Sequence, residues 1–179
     1  MTDADSPPPP ADAVLAIDIG GTKFAAGIVS AKGELLDRAR VEVERDVGPE
    51  SHYTSLANIV SELTGRVADG NGVRIRAVGV GAAGPAERNL ESISPVNIPA
   101  WRGFPLRRRL ADLTELPVFG DLDAKALALA EGWRGAAQGH TDFLAMTVST
   151  GVGGGIVLDN ELLDGATGNA GHVGHVIVE

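Results

Sequence analysis

Two stretches combine glycine, hydroxyl and charge in an order that could hold a phosphate. Asp18-Ile19-Gly20-Gly21-Thr22-Lys23 sets a carboxylate, two adjacent glycines, a hydroxyl and an ammonium between two apolar runs. Glycines let a phosphate come close to main-chain N–H groups. Asp18, at the end of a buried strand, is placed to hold Mg²⁺ through water. Ser149-Thr150-Gly151-Val152-Gly153-Gly154-Gly155 again joins a hydroxyl to glycines between apolar runs. It lacks the Gly-Lys-Ser/Thr ending of a nucleotide P-loop, and a strand rather than a helix follows, so it is not a dinucleotide fingerprint either. Two such hairpins could grip a polyphosphate from both sides through backbone N–H groups. A glycine turn with a solvated lysine would account for the first stretch alone. The dense glycines of the second are harder to explain structurally, because each weakens local order.

The elements that must position these loops follow from periodicity. Residues 14–29 read as a hairpin, and residues 33–44, with Val41 and Val43 alternating against Glu42 and Glu44, as a third, edge-like strand. Leu56, Ile59, Val60, Leu63 and Val67 share one helical face, stopped by Asp69-Gly70-Asn71-Gly72. Residues 73–82 form a strand entering a core and ending in a small-residue turn through Gly84 and Pro85. Residues 86–101 read as a proline-punctuated loop. Pro105 can open a helix carrying Leu106, Leu110 and Leu113. A short strand over 116–119 precedes a helix marked by Leu122, Ala126, Leu129 and Trp133. Residues 143–148 and 155–158 read as a strand pair, and 176–178 as a last strand. The order β-β-β-α-β-α-β-α, then β-β, gives an α/β class with a mixed sheet.

Composition narrows the function classes. The chain has 179 residues, 44% of them hydrophobic, which is enough for a real core. A net charge of −9 argues against nucleic-acid or anionic-membrane binding. There is no cysteine, hence no disulfide, Cys-ligated zinc or thiol chemistry within the chain. Residues 1–13 are acidic and proline-rich, without the basic and apolar regions of a signal peptide, and read as a disordered tail. No apolar run spans a bilayer, so a cytoplasmic protein is expected. The arginines Arg102, Arg107, Arg108 and Arg109 read as a solvated helix face, and Trp101 as either a sugar-stacking ring or a core anchor.

Together the motifs resemble the ROK family of sugar kinases and transcriptional repressors, within the actin/hexokinase-like ATPase superfamily. Residues 17–23 look like the family's first phosphate motif and residues 149–155 like its second. The run from Val148 through Gly165 and Gly171 to Gly174-His175 fits its long signature. Gly79-Val80-Gly81-Ala82-Ala83-Gly84-Pro85 and Ser94-Pro95-Val96-Asn97-Ile98-Pro99-Ala100-Trp101 look like its sugar-side loops. The resemblance implies a ribonuclease H-like/actin-like ATPase fold. A first domain would occupy residues 14–120, and the beginning of an incomplete second one residues 121–179. It implies a glucokinase-like enzyme that uses ATP and Mg²⁺ to phosphorylate a hexose or N-acetylhexosamine hydroxyl. Asp18, Gly20, Gly21, Thr22, Lys23, Ser149, Thr150, Gly151, Val152, Gly153 and Gly154 would be the nucleotide-binding residues, and Gly84, Asn97, His172 and His175 would face the sugar. Asp123 aligns with the family's general base; from spacing alone it would be the N-cap of a helix beginning at Ala124, and the two roles are compatible.

Three positions depart from the family pattern. Leu122 and Lys125 stand where Asn is common, and His172 where Glu is common in the sugar motif. These changes leave the phosphate machinery in place and bear on sugar identity. His175 would ligate zinc only with downstream Cys residues, so zinc would require a longer form. Family members continue well past residue 179. This form is therefore expected to bind nucleotide poorly, to turn over little and to expose apolar strands, which favours self-association into a homo-oligomer. The family's repressors carry a helix-turn-helix module before the first phosphate strand, for which residues 1–13 leave no room; no nucleic-acid or membrane partner is expected. A non-catalytic sugar-sensing protein is the alternative to a kinase.

Overall fold

A computed structural model describes residues 11–68, 72–149 and 151–177. Strands β1 (Ala11–Ile19), β2 (Lys23–Ser30) and β3 (Leu35–Glu42) form an antiparallel meander. β4 (Val73–Ala82) and β5 (Val118–Leu122) then add in parallel, giving a five-stranded mixed sheet of order β3-β2-β1-β4-β5. A second sheet of order β6-β7-β8 follows, from β6 (Phe143–Val148), β7 (Val152–Leu158) and β8 (Glu161–Leu162).

One face of the first sheet makes the core. Leu15, Ile17, Ile19, Phe24, Ile28, Val78 and Val80 point to the same side and are buried. Over them pack α1 (Pro49–Ala68), through Leu56, Ile59, Val60 and Leu63, and α2 (Leu106–Thr114), through Leu106 and Leu110. Pro105 sits at the N-cap position of α2, and Glu115 in the left-handed region ends it. Trp101 is fully buried, stacked on Phe24 (ring centroids 5.2 Å apart) and on Phe104 (4.5 Å), with its indole N–H donated to the Pro49 carbonyl at 3.0 Å. It is the core anchor, not a ring open to a sugar. The arginines beside it are structural or solvated. Arg109 forks onto Glu50 and lies 4.0 Å over the Tyr53 ring, Arg107 pairs with Glu91, and Arg102 is exposed.

Several boundaries differ from expectation. β1 begins at Ala11 rather than Val14, because Ala11, Asp12 and Ala13 pair with Val73, Arg74 and Ile75 of β4. The tail is thus shorter than residues 1–13, and residues 1–10 lie outside the described residues. β5 covers 118–122 rather than 116–119, since its extent is set by the register against β4, Val78 opposite Val118 through Ala82 opposite Leu122. The first sheet therefore runs across the 120/121 division. The helix-stopping residues 69–71 lie outside the described residues. α3 (Asp123–Arg134) has Leu122, not Asp123, at its N-cap. Val176 and Ile177 form no strand; they follow a 3-10 turn (Val173–His175), and Ile177 is 93% exposed and pairs with no strand among the described residues. Val178 lies outside the described residues. Along β6, Leu144, Met146 and Val148 are exposed.

α3 ties the two sheets together, packing on β4 of the first and on β6 and β7 of the second. The contact with β7 is backbone-close: a Cβ on Gly155 would stand 2.5 Å from the Ala128 Cβ and 2.6 Å from the Ala124 carbonyl.

Truncating Trp101 to Ala should cost about 3–5 kcal/mol, read as a lower urea midpoint at unchanged slope. An unchanged midpoint would show that the aromatic stack does not support the core.

Candidate active site

A cleft of about 1300 Å³ opens between the first sheet, the loop 83–100 and the second sheet. Of the sequence-derived candidates, Asp18, Gly20, Gly21, Thr22, Gly84, Asn97, Asp123, Ser149, Gly151, Val152, Gly153, His172 and His175 line it. Lys23 and Gly154 do not, and Thr150 lies outside the described residues. Lys23, the first residue of β2, faces an adjoining groove that also contains Asp18 and Asp123. Gly154 is buried, with Leu144 on one side and Val173 on the other.

The first loop is the turn between β1 and β2, closed by the Gly20 N–H donating to the Lys23 carbonyl at 3.1 Å. Gly21 cannot carry a side chain, since a Cβ there would fall 2.4 Å from the Cβ of Asn97. The loop and the Asn97 segment are thus pressed together at the cleft floor. The second loop joins β6 to β7, with the Ser149 N–H donating to the Gly151 carbonyl at 2.9 Å, and nothing crowds Gly151. The glycine run therefore divides. Gly151 is open to the cleft, Gly153 and Gly154 are closely neighboured by side chains, and Gly155 is required by packing, a structural reason the sequence did not disclose.

Asp123 begins α3 and its Oδ1 accepts the Ala124 N–H at 2.7 Å, so the carboxylate is anchored to its own helix while exposed to the cleft. Asp18 ends the strand opposite. Solvent reaches its carboxyl, but the surrounding walls desolvate it. That desolvation first, and the like charge of Asp123 second, push it above the ordinary aspartate range, with Lys23 pulling the other way. Two carboxylates that repel across a cleft, beside exposed N–H groups, suit Mg²⁺ held by oxygen, water and phosphate. Among the described residues no three His, Cys, Asp or Glu side chains are grouped to hold a metal.

The wall of the cleft that carries His172 and His175 is made by the segment after β8. Nδ1 of His172 lies 2.8 Å from the Asn169 carbonyl. A carbonyl only accepts, so Nδ1 carries the proton and donates; in the neutral ring Nε2 is left as an acceptor. That nitrogen is 3.0 Å from where a Cβ on Gly84 would be, next to a Leu122 methyl at 2.8 Å from the same point. The His175 ring lies 5.8 Å from that of His172. Leu122 is buried behind Gly84 and offers no polar group.

Asn169 and His52 are among the cleft residues missed from sequence. Asn169 exchanges bonds with the Ala86 backbone, accepting its N–H at 3.1 Å and donating to its carbonyl at 2.9 Å. It lies inside the long glycine signature, which was the available signal. His52, buried against Phe24 and Trp101, reaches the cleft from α1. Its spacing of four from Leu56 marked it as a residue of the buried face.

A cleft between two α/β sheets, with a glycine loop on either side and a helix-borne carboxylate between them, defines an actin-like ATPase scaffold. The chain belongs to the ROK family, whose model matches residues 14–179. It is 40% identical over 165 residues to an N-acetylmannosamine kinase of Escherichia fergusonii, covering 92% of this chain and 54% of that protein. It is 37% identical over 168 residues to a glucokinase of Thermotoga maritima, covering 93% and 51%. The crystal structure of a ROK family glucokinase from Streptomyces griseus in complex with glucose and AMPPNP is similar, with TM-score 0.79, 33% identity, and 93% of this chain and 51% of that one covered. The chain spans about half the length of the curated relatives it matches.

The raised Asp18 value sets a sign for stability. Its folded form holds the proton more tightly than the unfolded chain does. Ionised Asp18 therefore works against folding above its raised value, and that penalty fades as pH falls through it. Asp18→Asn should stabilise the fold at pH 7 by less than about 1 kcal/mol, because solvent screens the site. The gain should shrink on acidification. Melting curves at several pH values check it; a pH-independent difference would contradict the account.

Proposed function

We propose that this chain carries the phosphoryl-transfer cleft of a ROK-type sugar kinase, acting on a hydroxyl of a hexose or N-acetylhexosamine with ATP. The observation that carries the reading is the meeting, in one cleft, of two glycine loops, Asp123, and the wall bearing Asn97 and His172. The likeness to a glucokinase complexed with glucose and AMPPNP supports it.

In this reading the N–H groups of Gly21, Thr22 and Gly151 donate to phosphate oxygens, and neutralising them lowers the barrier without covalent chemistry. Asp123 accepts the proton of the attacking sugar hydroxyl, its carboxylate steadied by the Ala124 N–H. Mg²⁺, when bound with the nucleotide near Asp18, would neutralise phosphate charge. Nε2 of His172 accepts a bond from a sugar hydroxyl, and Asn97 both donates and accepts. The five-stranded sheet with α1 and α2 forms one lobe and β6–β8 belong to the other, with the division at the start of α3. Among the described residues no helix is long and apolar enough to cross a membrane. We place the protein in the cytoplasm, where ATP and free sugars are found. Self-association through the exposed row Leu144, Met146 and Val148 is part of the same proposal.

An ADP-release assay over a panel of hexoses and N-acetylhexosamines, with ATP and Mg²⁺, tests the function. Slow sugar-dependent ADP formation is expected from this chain. Asp123→Asn should reduce it by roughly 10²–10⁴-fold, with sugar affinity by calorimetry changed less than about threefold. Sugar binding without ADP formation would instead make this chain a sugar-sensing ROK protein.

A further inference from the structure

We infer that Lys125 is a positioning residue: its buried ammonium ties the wall carrying Asn169 and His172 to the turn of α3 that carries Asp123. The inference rests on reading the cleft as a sugar site.

Lys125 is fully buried, a place lysine occupies only when paired. Its Nζ donates to Asp121 Oδ1 and Oδ2 at 3.1 and 3.0 Å, to Asp164 Oδ1 at 2.5 Å and to the Gly168 carbonyl at 3.0 Å. The partners come from separate places: the end of β5, and the segment following β8. Lys125 itself stands two residues after Asp123, in the first turn of the same helix. One cation thus joins the last strand of the first sheet, the helix bearing the candidate base and the sugar-side wall.

The joined segment has little structure of its own. Gly165, Gly168 and Gly171 all have positive φ, and no helix or long strand runs through it. It is held from both flanks. On one side Arg88 donates to the Gly165 and Ala166 carbonyls at 3.0 and 3.3 Å, and Asn169 is bonded to Ala86. On the other side stands Lys125. From the Gly168 carbonyl the path to the cleft is one residue to Asn169, whose own carbonyl holds Nδ1 of His172. Release of Lys125 would free that side of the segment and with it the direction of His172 Nε2. Lys125 does not line the cleft, so it acts through these residues and not on the ligand. Buried ion pairs are weak sources of net stability, and selecting one arrangement is their better-attested use. Asp164 is about half exposed and keeps Arg88 at 3.7 Å when Lys125 is removed, so the loss should be local.

Lys125→Met, Lys125→Arg and Asp164→Asn test the inference in this chain. Hydrogen exchange is measured by residue, the His172 imidazole is followed by NMR, and binding of glucose, N-acetylmannosamine and ADP–Mg²⁺ is measured by calorimetry. In Lys125→Met and Asp164→Asn, amides of residues 165–172 should exchange roughly tenfold faster while β1 and β4 are unchanged. The His172 ring signals should shift. Sugar affinity should fall roughly tenfold with ADP affinity changed less than about twofold, and Lys125→Arg should recover part of each effect. Unchanged exchange in the segment, an unmoved His172 signal, or equal loss of sugar and nucleotide affinity would overturn it. If the unaltered chain binds no sugar, the kinase reading fails, and exchange and the His172 signals still decide whether Lys125 positions the wall.

Discussion

The close approach of β7 to α3 is the constraint on which the site depends. Gly155 lies against Ala128 and the Ala124 carbonyl, at distances no side chain would allow. α3 in turn rests on β4, where Gly81 faces Ala126. One helix thus has glycine strands on both flanks, which brings the second sheet near enough to the first for their hairpin loops to share a cleft. A Cβ at Gly155 would push β7 outward and carry the second loop away from Asp123. The small residues Ala124 and Ala128 on the helix serve the same end. Packing here sets the distance between two loops rather than filling a core, so its effect should appear in ligand affinity before it appears in stability.

Charge in the cleft follows from that geometry. Asp18 and Asp123 come from different elements, a strand end and a helix start, and are drawn together by the same approach of α3 to β4. Desolvation and the charge of Asp123 make ionised Asp18 unfavourable without a counter-ion. Lys23 offers partial relief, but it faces the adjoining groove and acts on Asp18 through charge. Functional sites commonly hold such uncompensated groups, because a ligand then supplies what the fold withholds. Two other cations near the site are engaged within the fold: Lys125 by its two carboxylates, and Arg88 on the carbonyls of the wall segment.

What was legible in the sequence was whatever depends on local pattern. The hairpin around Gly20 and Gly21, the apolar face of α1, and the strand-loop-strand order around Ser149 are short-range features, and the fold class followed from their succession. The wrong boundaries share one cause, which is dependence on a distant partner. Ala11 joins β1 because Val73 lies beside it, and Gly120 and Asp121 extend β5 because β4 offers a matching edge. Val176 and Ile177 have strand-forming side chains but no such edge. Lys125 was visible as a departure from the motif, but its role was not. Its partner Asp164 is 39 residues away, and neither charge signals the other in the sequence.

The departures at Leu122, Lys125 and His172 can be read as one related set. Leu122 and His172 meet at Gly84, and Lys125 secures the segment from which His172 projects. All three bear on the wall that carries His172 and none on the two glycine loops. A buried leucine removes a hydrogen-bonding side chain behind Gly84, while the imidazole presents an acceptor nitrogen whose proton placement is fixed by the Asn169 carbonyl. A site with fewer polar groups on one wall discriminates less against a sugar lacking the matching hydroxyl, since no buried donor or acceptor is left unpaired. In the proposed reading the phosphate side, built from main-chain N–H groups, can stay constant through such changes because backbone donors do not depend on side-chain identity. In the proposed sugar-kinase reading, divergence in sugar preference would concentrate in the wall to which Lys125 bonds, where a change of side chain would alter recognition without disturbing the two glycine loops.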